Sequence, residues 1–278
     1  DPDRPCPEIN PVDPAGAARR PRPGDALRRA LDAGELAIHH RPLVLLDSGE
    51  PVGVEALVRW RHPDRGLVPA TELLPSVEES GLVRELDGWV LGEACRQVRG
   101  WQRGATGPAL RVHVPVSCRL LRPEPLVRSV TDCLGSTGLD PACLVLEFAE
   151  DVVSHDVEVA DRVLAAVTGL GVGIVLAGFG AGRSSPAALH RLPVRGLKLH
   201  PSIVSGATDP AGGDLARAVT ALGSCLRREL IADGVETREQ RRRLLDLGCT
   251  LGLGGLFSGP LPAAEAEAYL RSAATSGV

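Results

Sequence analysis

A chain of 278 residues, 44% hydrophobic and 24% charged, has the size of one large globular domain or two small ones. A net charge of −4 excludes the global basic field that draws proteins to nucleic acid or anionic lipid, and an aromatic content of 3% argues against a base-stacking platform. No apolar run approaches the roughly 18–20 residues that span a bilayer, and no signal-peptide pattern is read at the start. The cysteines, seven in number, form no C-x-x-C pair. An odd, scattered set points to reduced thiols in a cytoplasmic protein, not to a disulfide framework or a zinc site. The sequence has no methionine, which reads as the mark of a fragment of a longer product.

Residues 1–23 carry seven prolines and almost no periodic hydrophobicity, so they read as a proline-rich linker or tail before a folded domain over 24–278. Residues 25–33 read as a helix. Residues 36–46 and 51–60 read as strands joined by the turn Asp47-Ser48-Gly49-Glu50, which makes them a hairpin. In the second strand, alternation puts Glu55, Leu57 and Arg59 on one side and Val54, Ala56 and Val58 on the other. A carboxylate and a guanidinium in one apolar run need each other or a ligand, because burying either alone is costly. A structural ion pair and a site are both open at this point. Helical patterns follow at 70–80 and 84–102. Strands at 109–116, 143–149, 172–177, 195–199, 229–233 and 250–254 then alternate with helices at 123–136, 156–169, 184–191, 209–226, 237–247 and 263–272.

Such alternation means parallel strands with crossover helices. Eight strands in about 250 residues fit an α/β fold of the TIM-like (β/α)8 barrel type. The hairpin modifies it by setting the first strand antiparallel. An open doubly wound sheet is the alternative, but no glycine fingerprint follows the first strand. Barrel sites lie at the carboxyl ends of the strands. Those ends are Glu55, Pro115, Glu147, Ala177-Gly178, Lys198, Asp233 and Leu253, so three carboxylates and a lysine converge on one mouth. His113 and His200, two residues from Pro115 and Lys198, are expected to share their barrel-facing sides. With Glu147 they could form a metal site, against the commoner reading of packed, hydrogen-bonded histidines. Arg227-Arg228 and Arg241-Arg242-Arg243 read as solvated helix faces.

Longer motifs carry a resemblance. EALVRWRHPDRGLVPATELLPSVEESGL (55–82), WVLGEACRQVRGW (89–101), GFGAGRSSPAALHRLPVRGLKL (178–199), IADGVETREQRRRLLDLGC (231–249) and GLFSGPLP (255–262) are long and mutually spaced. Through them the chain resembles an EAL domain, the family of cyclic-di-GMP phosphodiesterases and their inactive relatives. The resemblance implies a barrel with one antiparallel strand. For active relatives it implies two divalent cations, magnesium or manganese, and hydrolysis of the cyclic dinucleotide to the linear one.

Carried over residue by residue, the resemblance implies a depleted site. Glu55, Glu147 and Lys198 remain at positions that active relatives use. The catalytic Glu of the family is Asp233, one methylene shorter. Pro115 stands for an Asn, Ala177-Gly178 for an Asp-Asp pair and Leu253 for a Gln. Arg41 stands for a Gln and Arg183 for a Tyr. The expected ligand-facing set is Arg59, Leu57, Arg41, Pro42, Asp87, Glu150, Arg183 and Glu236, with Glu150 also a loop-ordering residue and no metal ligand set. The domain is therefore expected to be no enzyme and to need no cofactor. The two new arginines either hold phosphate or neutralise acids that have lost their metals. Three roles stay open: a cyclic-di-GMP receptor, a protein-interaction domain that binds no nucleotide, and a residual metal-dependent phosphodiesterase. Expected partners are cyclic-di-GMP, a protein or upstream signalling domain, and a second copy in a homodimer. Nucleic acid and membrane are not among them.

Overall fold

The computed structural model describes residues 23–69, 72, 82–103, 109–116, 123–150, 156–182 and 185–275. The predicted linker up to residue 22 and nearly all of the predicted helix at 70–80 lie outside these residues.

A helix, α1 (Pro23–Asp32), leads into the hairpin of β1 (Leu36–Leu45) and β2 (Pro51–His62). A short strand, β3 (Gly66–Pro69), folds back on β2, and α2 (Val83–Gln102) follows. The regular alternation comes next: β4 (Arg111–Pro115), α3 (Pro123–Thr137), β5 (Leu144–Ala149), α4 (Val157–Thr168), β6 (Gly173–Phe179) and α5 (Pro186–Arg191). It continues with β7 (Gly196–Leu199), α6 (Pro201–Gly206), α7 (Pro210–Cys225), β8 (Glu229–Asp233) and α8 (Arg238–Asp246). The chain ends with β9 (Leu251–Leu253), β10 (Leu261–Pro262) and α9 (Ala263–Thr275). Among the described residues no helix is long and apolar enough to cross a membrane.

Strands β2, β4, β5, β6, β7, β8 and β9 run parallel in that order, and β1 closes the ring by pairing antiparallel with both β2 and β9. The barrel with an antiparallel first strand is thus confirmed, and the open sheet is excluded. The predicted strands and helices fall within a few residues of the observed ones. Four short elements were not foreseen: β3, β10, α6 and a 3₁₀ turn at Pro141–Cys143. The first two extend the barrel sheet at its margins, and their few residues carry no periodic signal. In α6, Pro201 supplies the first helical residue and the His200 ring accepts from the Ser202 amide as its cap. His200 therefore does not share the barrel-facing side of Lys198. The strand ends at Leu199, and the following proline has no N–H for the ladder.

The parallel strands are buried on both faces, which is why LVLEFA in β5 reads as one apolar run. Helices present one apolar face to them. In α4, Ala160, Val163, Leu164 and Val167 are buried and Asp156 caps the helix by accepting from the Val159 amide. Inside the barrel the side chains form layers. At the amino ends of the strands Arg111 Nη1 lies 3.0 Å from Glu229 Oε2. An apolar layer of Leu43, Val145, Val175, Ile231, Leu251 and Leu253 follows. The carboxyl ends carry the charged mouth.

Arg228 and Arg241 do not sit on solvated faces. Arg228 donates to the carbonyls of Leu192 and Val194, and Arg241 to those of Leu46 and Asp47. Both tie helix ends to loops whose carbonyls lack ladder partners. Helix α7 stops in a Schellman arrangement, with Arg227 N–H donating to Ser224 O and Arg228 N–H to Gly223 O. That stop puts Arg227 at φ 55°, the left-handed region that suits glycine. Replacing Arg227 by glycine is expected to stabilise the fold by about 0.5–1 kcal/mol, read as a higher urea midpoint at unchanged slope. A lower midpoint would contradict this account of the helix stop.

Candidate functional site

The barrel register sets the mouth. Arg41 on β1 lies directly opposite Glu55 on β2, and Glu55 is paired in turn with His113 on β4. Pro115 neighbours Glu147, Ala177 neighbours Lys198, and Asp233 neighbours Leu253. Alternation turns Arg41, Glu55, His113, Glu147, Lys198 and Asp233 inward, onto the apolar layer.

The Lys198 ammonium reaches across the barrel. Its Nζ lies 2.5 Å from Glu55 Oε1, 2.6 Å from Glu147 Oε2 and 3.6 Å from Asp233 Oδ2. Arg41 Nη2 lies 2.6 Å from Glu55 Oε2 and 2.9 Å from Asp233 Oδ1. His113 Nδ1 lies 2.9 Å from Glu147 Oε1 and acts as its donor. All six oxygens of the three carboxylates thus face Lys198, Arg41 or His113. Glu55, Glu147 and Lys198 are each 3% exposed, so water hardly reaches them, while Arg41 and Asp233 are partly exposed.

Proton affinities follow from the same geometry. Burial alone would raise the Glu147 pKa, but Lys198 and then His113 outweigh it and bring it to about 2. Burial pulls Lys198 down, yet the carboxylates of Glu147, Glu55 and Asp233 hold it above the usual lysine range. Arg41 is raised in the same way, against burial, by Glu55 and Asp233. Asp233 moves opposite to Glu147: burial, the largest influence, raises it, Glu55 and Glu147 add to the rise, and Lys198 and Arg41 do not offset them.

The remaining ligand-facing candidates divide. Arg59 is half-buried, and its Nη1 donates to the carbonyl of Val58, its own neighbour. Burial lowers its pKa, and Arg41 adds to the lowering against Glu55. Leu57 is half-buried on the same side of β2. Pro42 is buried and, between inward-facing Arg41 and Leu43, turns toward the helices, so it does not wall the mouth. Asp87 on α2 lines a crevice with Pro115 and Val116 at the end of β4. Glu150 and Glu236 act as clamps. Glu150 Oε2 accepts from the amides of Gly180 and Gly182, and Glu236 Oε1 from that of Gly255. A Cβ on Gly182 would lie 2.6 Å from the Glu150 carboxyl carbon, so only glycine allows that approach. Arg183 lies outside the described residues.

Where the resemblance expects further oxygen donors, none is offered. Pro115 and Leu253 carry no side-chain oxygen, and Gly178 is a bulge residue at φ 78° beside Ala177. His113 is a hydrogen-bonded packing residue, as its commoner reading has it. His39, also inward by alternation, was not singled out from sequence; it neighbours Leu57, and burial lowers its pKa with Arg59 adding to the effect. The i, i+2 spacing from Arg41 was the available signal.

The sequence profile described as EAL domain matches residues 24–260. The chain belongs to the EAL domain family. It is 37% identical over 240 residues to the bifunctional diguanylate cyclase/cyclic di-GMP phosphodiesterase MucR of Pseudomonas aeruginosa, covering 86% of this chain and 35% of that relative. It is 37% identical over 251 residues to the cyclic di-GMP phosphodiesterase NbdA of the same organism, covering 89% of this chain and 32% of that one. The chain therefore spans about a third of the length of these relatives. A solved structure, the PaMucR phosphodiesterase in complex with c-di-GMP, superposes with a TM-score of 0.83 at 37% identity, covering 87% of this chain and 98% of that one.

Lys198 is the group whose loss the EAL domain mouth tolerates least. Lys198→Met leaves Glu55 and Glu147 buried with too few cations, and is expected to cost about 3–5 kcal/mol at pH 7. The loss should shrink near pH 4, as Glu147, deprived of its ammonium, takes up a proton. In the native chain Glu147 works with the opposite sign. Its pKa is lowered from 4.5, so its contribution is full above about pH 4.5 and disappears as pH falls toward about 2. Urea midpoints of both proteins from pH 7 to pH 3 check this. A loss of equal size at every pH would refute the stranded-acid explanation.

Proposed function

We propose that this EAL domain does not hydrolyse cyclic-di-GMP and serves as a receptor or regulatory module that takes the nucleotide at its mouth without a metal cofactor. The observation that carries the reading is the saturation of Glu55, Glu147 and Asp233 by Lys198, Arg41 and His113. Two-metal hydrolysis of a phosphodiester needs oxygen ligands that hold ions about 3.5–4 Å apart. The donor set here does not fit that demand, because its carboxylates already answer cations of the chain and Pro115, Ala177, Gly178 and Leu253 add no oxygen. No group of three His, Cys, Asp or Glu side chains among the described residues is arranged to hold a metal ion.

The receptor role is supported by Arg59, whose guanidinium matches a phosphate and, among the described residues, hydrogen-bonds to the carbonyl of the adjacent residue alone. It is also supported by the likeness to a phosphodiesterase solved with c-di-GMP. Free thiols at Cys95, Cys133, Cys143, Cys225 and Cys249 accord with a cytoplasmic setting. In that role the domain would report to a partner protein, an attached signalling domain or a second copy. The burial of Glu55 and Glu147 favours a second reading, a protein-interaction domain with a closed mouth.

Isothermal titration with cyclic-di-GMP in buffer containing a chelator separates the two. Saturable binding, unchanged by manganese and weakened at least about tenfold in Arg59→Ala, is the expected result. The melting temperature of that variant should match the parent. No heat at high ligand concentration would leave the interaction-domain reading. Linear dinucleotide produced with excess manganese would overturn the non-catalytic assignment.

A further inference from the structure

We infer that Arg41 is a tethered cation standing where a divalent ion would otherwise balance the mouth, and that this arginine is what keeps the mouth free of metal. The inference deepens the metal-free reading proposed above and rests on it. Its basis is the pattern of bridging. Glu55 spans two cations, with Oε1 at 2.5 Å from Lys198 Nζ and Oε2 at 2.6 Å from Arg41 Nη2. Asp233 spans the same two, with Oδ1 at 2.9 Å from Arg41 Nη2 and Oδ2 at 3.6 Å from Lys198 Nζ. Two positive centres joined by two bridging carboxylates is the plan of a binuclear metal site, built here from an ammonium and a guanidinium.

One nitrogen, Arg41 Nη2, faces both Glu55 Oε2 and Asp233 Oδ1, which accept from it. Manganese or magnesium takes oxygen ligands at somewhat shorter range, about 2.0–2.1 Å for magnesium, so a small inward shift of these two oxygens would suit either ion. Three carboxylates face two cations in this cluster. Removing the Arg41 charge leaves three facing Lys198 alone, in a largely buried site. At a few ångströms such an excess attracts a divalent ion strongly. His113 Nε2 is a further buried nitrogen, without a hydrogen-bond partner among the described residues, on a residue that already holds Glu147. Gly178, which follows the neighbour of Lys198, leaves open space where a Cβ would meet nothing within 4 Å.

Arg41 also has a face turned outward. Its Nε and Nη2 are engaged, whereas Nη1 has no acceptor among the described residues. Arg59, on the same side of the neighbouring strand, is close enough for the two guanidinium charges to oppose each other. A phosphodiester set between them relieves that repulsion. Arg41 thereby serves inward as counter-ion and outward as a hydrogen-bond donor to phosphate.

The test reads manganese uptake by electron paramagnetic resonance, without nucleotide, so it does not depend on whether cyclic-di-GMP binds. The parent protein and Arg41→Lys are expected to leave added manganese free in solution. Arg41→Gln is expected to bind it at least about tenfold more tightly than the parent, and the charge-balanced double variant Arg41→Gln/Asp233→Asn is expected to lose that gain. If Arg41→Gln is poorly stable, manganese should raise its melting temperature and leave that of the parent unchanged. Equal uptake by parent and Arg41→Gln would overturn the inference. So would an Arg41→Gln protein that neither binds manganese nor gains stability from it.

Discussion

The mouth of this barrel is organised by one ammonium group. Lys198 stands on a four-residue strand and touches acids from three others, so it ties β2, β5 and β8 to β7 through charge. Its neighbours are buried, and a buried carboxylate without a counter-charge is among the costliest things a fold can contain. The consequence is mutual dependence. Glu147 is ionised because Lys198 and His113 surround it, and Lys198 keeps its proton because the acids surround it. Arg41 completes the set from β1. The antiparallel strand that distinguishes this barrel from an ordinary one therefore delivers a charge that the parallel strands do not supply.

Much of this was legible in the sequence because the barrel imposes a simple rule. Residues at strand ends with the right parity face the mouth, and Glu55, Glu147, Lys198 and Asp233 follow that rule. The same parity, applied strictly, would have turned Pro42 outward and drawn attention to His39. It failed at His200 because a proline ended the strand first. The clamps were legible in part. The resemblance already implied a loop-ordering role for Glu150, but Glu236 accepts from the amide of Gly255, and nothing in hydrophobic periodicity marks a carboxylate that binds backbone instead of ligand. Partner choice was not legible either. Arg41 could be recognised as a departure, but whether it would face a phosphate or Glu55 depends on a cross-strand register that only the fold displays.

Pro115, Ala177, Gly178 and Leu253 bring no side-chain oxygen to the strand ends, while Arg41 places a positive charge beside the acids that are there. Without it, Glu55, Glu147 and Asp233 would face a single lysine. With it, every oxygen of the three carboxylates has a partner on the chain, and Glu150 and Glu236 clamp the neighbouring glycine loops. In that arrangement Glu55, the first residue of the EAL run, takes part in the internal charge balance of the mouth.

The apolar layer beneath the mouth has one more consequence. It separates two ionic groups, Lys198 with its acids above and Arg111 with Glu229 below. Leu43, Val145, Val175 and Ile231 act as an insulating disc: neither counter-ions nor side chains cross it, so each end of the barrel must settle its charge locally. The two ends can then diverge independently. Charge-altering substitutions at the mouth must be compensated from the mouth, by another strand end, an ion or a bound anion, and never from the far end of the same barrel.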